Sequence, residues 1–172
     1  MNIFVFDYCS GNFFNKQDNC LVLENYQFYT PDFVSEITFS PAIVIKINKS
    51  GKYIKPEFAS RYYSIYGTAI NIYAQNFIND ANENPLFFFK SSLLDKSTFL
   101  KKAEVTITDF FENRNPNLIP DFNLKISQLS KFSSLKSGDL ILFEIIERIK
   151  VTSPGKITYI SEGLEFPEVN IE

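Results

Sequence analysis

Ala42-Ile43-Val44-Ile45-Lys46-Ile47-Asn48 is a run of β-branched and apolar residues that stops at Lys49-Ser50-Gly51-Lys52. Branched side chains suit a pleated surface and the glycine-containing polar stop is a turn signal, so residues 42–48 predict a strand. Working outward, residues 2–8 predict a short strand and Ser10 to Asn19 a polar turn. The apolar stretches 20–23 and 26–29 predict a hairpin or an arm. Downstream, Pro56-Glu57 opens a predicted helix, with Pro in its first turn and an acid at the positive end of the dipole. Phe58, Tyr62 and Ile65 share one face of it, and Gly67 stops it. Strands are predicted over 67–73, 104–111, 140–151, 157–161 and 164–171. A second helix starts at Pro120-Asp121, with Phe122, Ile126, Leu129 and Phe132 spaced four, three and three. Segment 86–90 is apolar and undecided between helix and strand. The fold class is α+β and β-dominated, with two or three short helices.

The chain has 172 residues, enough for one sizeable core and too few for two ordinary domains. With 45% hydrophobic and 22% charged residues it has a globular composition. Its 19 Phe and 9 Tyr are read chiefly as core, and in part as an interface; Phe87-Phe88-Phe89 points to both faces of a strand and needs a second cover, such as a dimer partner. A net charge of −3, with Lys and Arg scattered, attracts no nucleic acid. Met1 to Asp7 lacks the basic segment of a secretion signal, and no stretch approaches the ~20 apolar residues of a membrane span. The expectation is a cytoplasmic protein with neither nucleic acid nor membrane as partner. Cys9 and Cys20 have no spacing that indicates zinc or a disulfide framework.

The chain contains no His. That removes the commonest general base near neutral pH and the commonest transition-metal ligand. Catalysis by Ser-His-Asp or Cys-His and His-ligated zinc are excluded, leaving carboxylates, Lys, Tyr, Cys or a hard-metal site. Asp95, Glu104, Asp109 and Glu112 have no motif spacing and read as surface charges.

Three segments in order carry a family resemblance. They are Pro31-Asp32-Phe33 with Ile37 to Asn48; Gly51-Lys52 through Ala59-Ser60-Arg61-Tyr62-Tyr63 and Gly67 to Ile78; and Ile126 through Leu135-Lys136-Ser137-Gly138-Asp139-Leu140-Ile141 to Pro154-Gly155. Over roughly residues 31–163 the sequence resembles the fumarylacetoacetate hydrolase family. The resemblance implies a β-roll of mixed strands spanning 31–172, preceded by a shortened N-terminal strand or arm over 1–30, and usually a homodimer. It also implies Mg²⁺ or Mn²⁺ held by an E-x-E pair and a third carboxylate. Residues i and i+2 of a strand point to one face, which is what lets such a pair converge.

Here the two E-x-E positions fall on Ser40 and Ala42, and the third on Asn71. Hard ions need oxygen anions, and these residues offer a hydroxyl, a methyl and an amide. An Arg-Asp pair of the family falls on Gln75-Asn76, and its T-G-T-P loop on Phe143-Glu144-Ile145-Ile146. Gly67, Gly138, Asp139, Gly155, Phe33, Tyr62 and Tyr63, whose implied roles are turn geometry or packing, all match. Scaffold positions are retained while chemical ones are lost, which reads as lost function rather than misalignment. Lys90 alone matches an implied active-site residue, and Glu144 enters where relatives have Gly. The expectation is that Lys90 and Glu144 neutralise each other across a vestigial pocket with no catalytic residue and no bound metal.

Three functions follow. The first is a non-catalytic scaffold or regulatory protein, working as a homodimer or beside an active relative. The second is a metal-free binder of a small acid. The third is a divergent hydrolase, decarboxylase or isomerase of keto acids or 1,3-dicarbonyl compounds with a rearranged site.

Overall fold

The computed structural model describes residues 1–79, 90–105, 122–161 and 164–172. The run at 42–48 is the second half of β5 (Ile37–Ile47), which pairs antiparallel along its length with β6 (Tyr63–Ala74). These two long strands are the centre of an eight-stranded sheet. β6 pairs onward with β7 (Thr98–Val105), and β5 with β8 (Leu140–Glu144) and then β9 (Ile149–Lys150). β1 (Ile3–Phe6) lies parallel to β8 and antiparallel to β2 (Phe13–Lys16), and β3 (Leu21–Val22) lies parallel to β7. The full order is β2-β1-β8-β5-β6-β7-β3, with β9 on β5. A small sheet joins β4 (Gln27–Phe28), β10 (Gly155–Ile157) and β13 (Val169–Ile171); β11 (Ile160–Ser161) and β12 (Leu164–Glu165) form a hairpin.

The order itself forces curvature. β2 and β3 end opposite flanks of the main path, yet only residues 17–20 join them. Five fully extended steps reach about 18 Å, whereas seven strands laid flat span about 29 Å. The sheet therefore curls until its flanks approach. Its outer face carries Phe39, Ile43, Ile45, Ile70, Ile72, Ile141 and Phe143, covered by α1 (Phe122–Phe132). The Phe122 ring meets the Phe143 ring at 4.7 Å. The inner face carries Ile3, Val5, Ala42, Val44, Ala69, Leu100, Leu140 and Leu142, a second core closed in by the curl. No described helix is long and apolar enough to cross a membrane.

Several expectations are revised. Pro56–Arg61 is a 3-10 helix, and Ile65 and Gly67 lie inside β6 rather than at a helix end. The β6–β7 register shifts between Ile65 and Gly67, and a Cβ at 67 would stand 2.1 Å from the Lys101 carbonyl oxygen. Gly67 is thus required by close strand approach at a bulge. Stretches 20–23 and 26–29 pair with β7 and β13, not with each other. The predicted 140–151 strand breaks after Glu144, where β5 changes partner from β8 to β9. Pro41, which has no N–H to give, sits opposite that break, and its carbonyl accepts from Ile145 N–H at 3.1 Å. Phe122, Ile126 and Leu129 are buried as predicted, but Phe132 is 89% exposed. Residues 86–89, 106–111 and the start of the second helix lie outside the described residues.

Candidate functional site

Strand alternation decides which side chains meet. Ser40, Ala42 and Val44 take the opposite face from Phe39, Ile43 and Ile45, so they point into the curl. The register sets Ser40 opposite Asn71, Asn71 opposite Thr98, and Ala42 opposite Glu144. Lys16, two residues after Phe14 of the inner core, points the same way. Of these, Ser40, Asn71, Thr98, Glu144 and Lys16 are polar, and all five are buried.

They form a one-way chain of hydrogen bonds. The Lys16 ammonium donates to Thr98 Oγ1 at 2.9 Å and to Ser97 Oγ at 3.0 Å. Thr98 donates to Asn71 Oδ1 at 2.9 Å, and Asn71 Nδ2 donates to Glu144 Oε1 at 3.1 Å. The Tyr73 hydroxyl donates to the same carboxylate oxygen, and Tyr8 N–H approaches Oε2 at 3.4 Å. Beside this chain the buried Asp7 pairs with Arg148, whose side chain is 10% exposed. Both cations lie over the Tyr73 ring, Lys16 at 5.2 Å and Arg148 at 4.8 Å from its centroid.

Burial sets the ionisation. Loss of solvent pushes Glu144 up to about 7, against the hydrogen bonds from Tyr73 and Asn71 and the charge of Arg148. It pushes Lys16 down to about 8, partly offset by nearby Cys20 and Glu144. Tyr73 is raised well above the usual phenol value, first by burial and then by Glu144. Near neutral pH a carboxyl and an ammonium thus sit close to their midpoints in a water-poor space.

The three implied ligand positions do converge on this face. Ser40 Oγ, however, donates to the Ile146 carbonyl at 3.2 Å, Ala42 packs in the inner core, and both ends of the Asn71 amide are engaged. Gln75 accepts from Thr38 Oγ1 at 2.9 Å and donates to Asn79 at 2.8 Å, while Asn76 turns toward the Phe33 carbonyl at 3.5 Å.

The expected Lys90–Glu144 pairing is not the one found. Glu144 lies inside the curl with Tyr73, Asn71 and Tyr8 N–H as its partners, and the ammonium joined to it is Lys16. Lys90 lies in a helical turn and is exposed. It lines a different cavity of about 700 Å³, with Phe28, Phe33, Phe77, Leu94 and Lys96. The sequence reading missed Lys16, Tyr73, Thr98, Asp7 and Arg148. The signal lay in Phe13-Phe14-Asn15-Lys16, whose alternation, once read as a strand rather than a turn, puts Lys16 on the side of Phe14.

No family model matches the chain. A flagellar motor switch protein, FliM, of Buchnera aphidicola subsp. Schizaphis graminum is 27% identical over 154 residues, covering 84% of this chain and 45% of that protein. The chain thus spans less than half the length of the curated relative it matches. Solved structures are similar over 99% of the chain. Fumarylpyruvate hydrolase from Pseudomonas aeruginosa, in complex with Mn²⁺ and pyruvate, has a TM-score of 0.82 at 15% identity, with 89% of that chain covered. A protein assigned to the fumarylacetoacetate hydrolase family from Yersinia pestis CO92 has 0.79 at 15%, with 91% covered. 5-Carboxymethyl-2-hydroxymuconate delta-isomerase from Mycobacterium smegmatis has 0.77 at 13%, with 78% covered. Similarity over 99% of the chain at TM-scores of 0.77 to 0.82 places it in the fumarylacetoacetate hydrolase fold.

Proposed function

We propose that this chain is a non-catalytic member of the fumarylacetoacetate hydrolase family, a ligand-binding or regulatory protein that works as a homodimer or beside an active relative. One observation carries the reading: of the three positions implied to hold a metal, Asn71 is tied into an internal network that runs from Lys16 to Glu144, Ser40 is engaged by the Ile146 carbonyl, and Ala42 has no oxygen to offer. The donor set does not fit Mg²⁺ or Mn²⁺. Among the described residues no three His, Cys, Asp or Glu side chains converge, and the cluster's two carboxylates, Glu144 and Asp7, already have Lys16 and Arg148 beside them. Adding a dication would leave an unbalanced buried charge, which costs several kcal/mol or more.

The ligand class comes from the cavity beside Lys90. Its walls are mostly aromatic and aliphatic, and Lys90 and Lys96, two cations against the one carboxylate of Asp95, stand among them. That combination suits a small carboxylic acid with an apolar body. The fold is that of the hydrolases, so no motor role is proposed from the flagellar relative.

Thermal shift with Mg²⁺ or Mn²⁺, with and without oxaloacetate or an acylpyruvate, tests the reading. No metal-dependent shift is expected; a resident site at hundredfold saturation would add about 2.7 kcal/mol, raising the melting temperature by about 5 °C or more. Phenylpyruvate should stabilise the wild type without metal, and less so Lys96→Ala. Turnover of a dicarbonyl compound would overturn the non-catalytic reading. It would favour the second one, a divergent hydrolase, decarboxylase or isomerase, which is supported by the near-neutral ionisation of Glu144 and Lys16. In that case Glu144→Gln should abolish the activity.

A further inference from the structure

The Lys16 ammonium is buried, and among the described residues every group it touches is uncharged: two hydroxyls and the face of an aromatic ring. A fully buried ammonium without a counter-ion is not normally retained. The donor direction resolves this, because each hydrogen bond from Lys16 through Thr98 and Asn71 points toward the Glu144 carboxylate. Both linking groups are neutral and are used as donor and as acceptor, so the chain is polarised along its length.

We propose that Lys16 is the resident cation of this site, supplying from within the chain, through Thr98 and Asn71, the positive charge that an exchangeable metal ion brings to such a carboxylate cluster. The inference rests on the reading above that no metal is resident. The flanks of the sheet meet where β2 comes across to β7, so the same curl that closes the inner core inserts the charge. Arg148 serves Asp7, the cluster's other carboxylate, by a direct ion pair. Among the described residues the remaining titratable groups facing Lys16 are Cys20 and, through its ring, Tyr73. The stability of the site then depends on an internal lysine and not on divalent-ion supply.

A double-mutant cycle tests this with Lys16→Met and Glu144→Gln, read as melting temperature at neutral pH. If Lys16 is the counter-charge, the double variant melts at least about 3 °C above the sum of the two single changes, because removing one partner strands the other. Additive changes would overturn the proposal. A parallel measurement uses Lys16→Ala, which removes a propylammonium-sized group. n-Propylammonium should raise its melting temperature while 1-propanol of the same size does not; equal effects, or none on folded protein, would also overturn it. Metal binding or turnover by the wild type would overturn the preceding section's reading instead, and neither readout depends on the cycle.

Discussion

Glu144 and Lys16 are driven toward their neutral forms by the same cause, loss of water, and their effects on stability have opposite signs with pH. Folded Glu144 titrates near 7 against 4.5 when solvated, so between those values the native state holds a proton that the unfolded chain has released. Stability falls as pH rises through that window. Folded Lys16 titrates near 8 against 10.5, so over the upper window the unfolded chain holds the extra proton, and stability rises with pH. Denaturant melts across pH are expected to show a minimum between about 7 and about 8. Glu144→Gln should flatten the acid limb and Lys16→Met the alkaline one. A profile flat from pH 4.5 to 10.5 would contradict the burial of both groups.

At the scale of elements, one glycine and two phenylalanine positions separate structural roles that look alike in the sequence. Gly67→Ala drives a methyl into the Lys101 carbonyl, and separating β6 from β7 there should cost about 2–3 kcal/mol in urea melts. Phe122→Ala should cost about 3–5 kcal/mol, because its ring fills space between Phe143 and Tyr63. Phe132→Ala, at 89% exposure, should stay within about 0.5 kcal/mol. The central strands were legible because β-branched runs bounded by turn residues say the same thing locally and globally. The helix boundary at 56–67 was not: Phe58, Tyr62 and Ile65 fit a helical stripe, but Ile65 is claimed by the sheet, so tertiary pairing overrides a periodicity too short to decide. Strand parity put Ser40 and Ala42 on one face, and the family resemblance set Asn71 beside them. Lys16 was not seen with them, since its partners Ser97 and Thr98 lie more than 80 residues away.

For the whole molecule, closure of the sheet follows from a connection and not from any local pattern. Residues 17–20 hold β2 and β3 together at the seam. Doubling that link with Gly and Ser should cost only about 0.6 kcal/mol, as loop closure grows slowly with length; the measurement is a denaturant midpoint. A much larger loss would mean that the link holds strain as well as proximity. The register has one more consequence, for biosynthesis. β1 finds β8 as a parallel neighbour, Ile3 against Leu140, so β1 must wait for a strand made far later in the chain. At ribosomal speeds the nascent chain carries the apolar Ile3–Phe6 segment for roughly 7 to 30 s before that partner emerges. The hazard for this protein is thus greatest during synthesis, and it is there that a chaperone has most to shield.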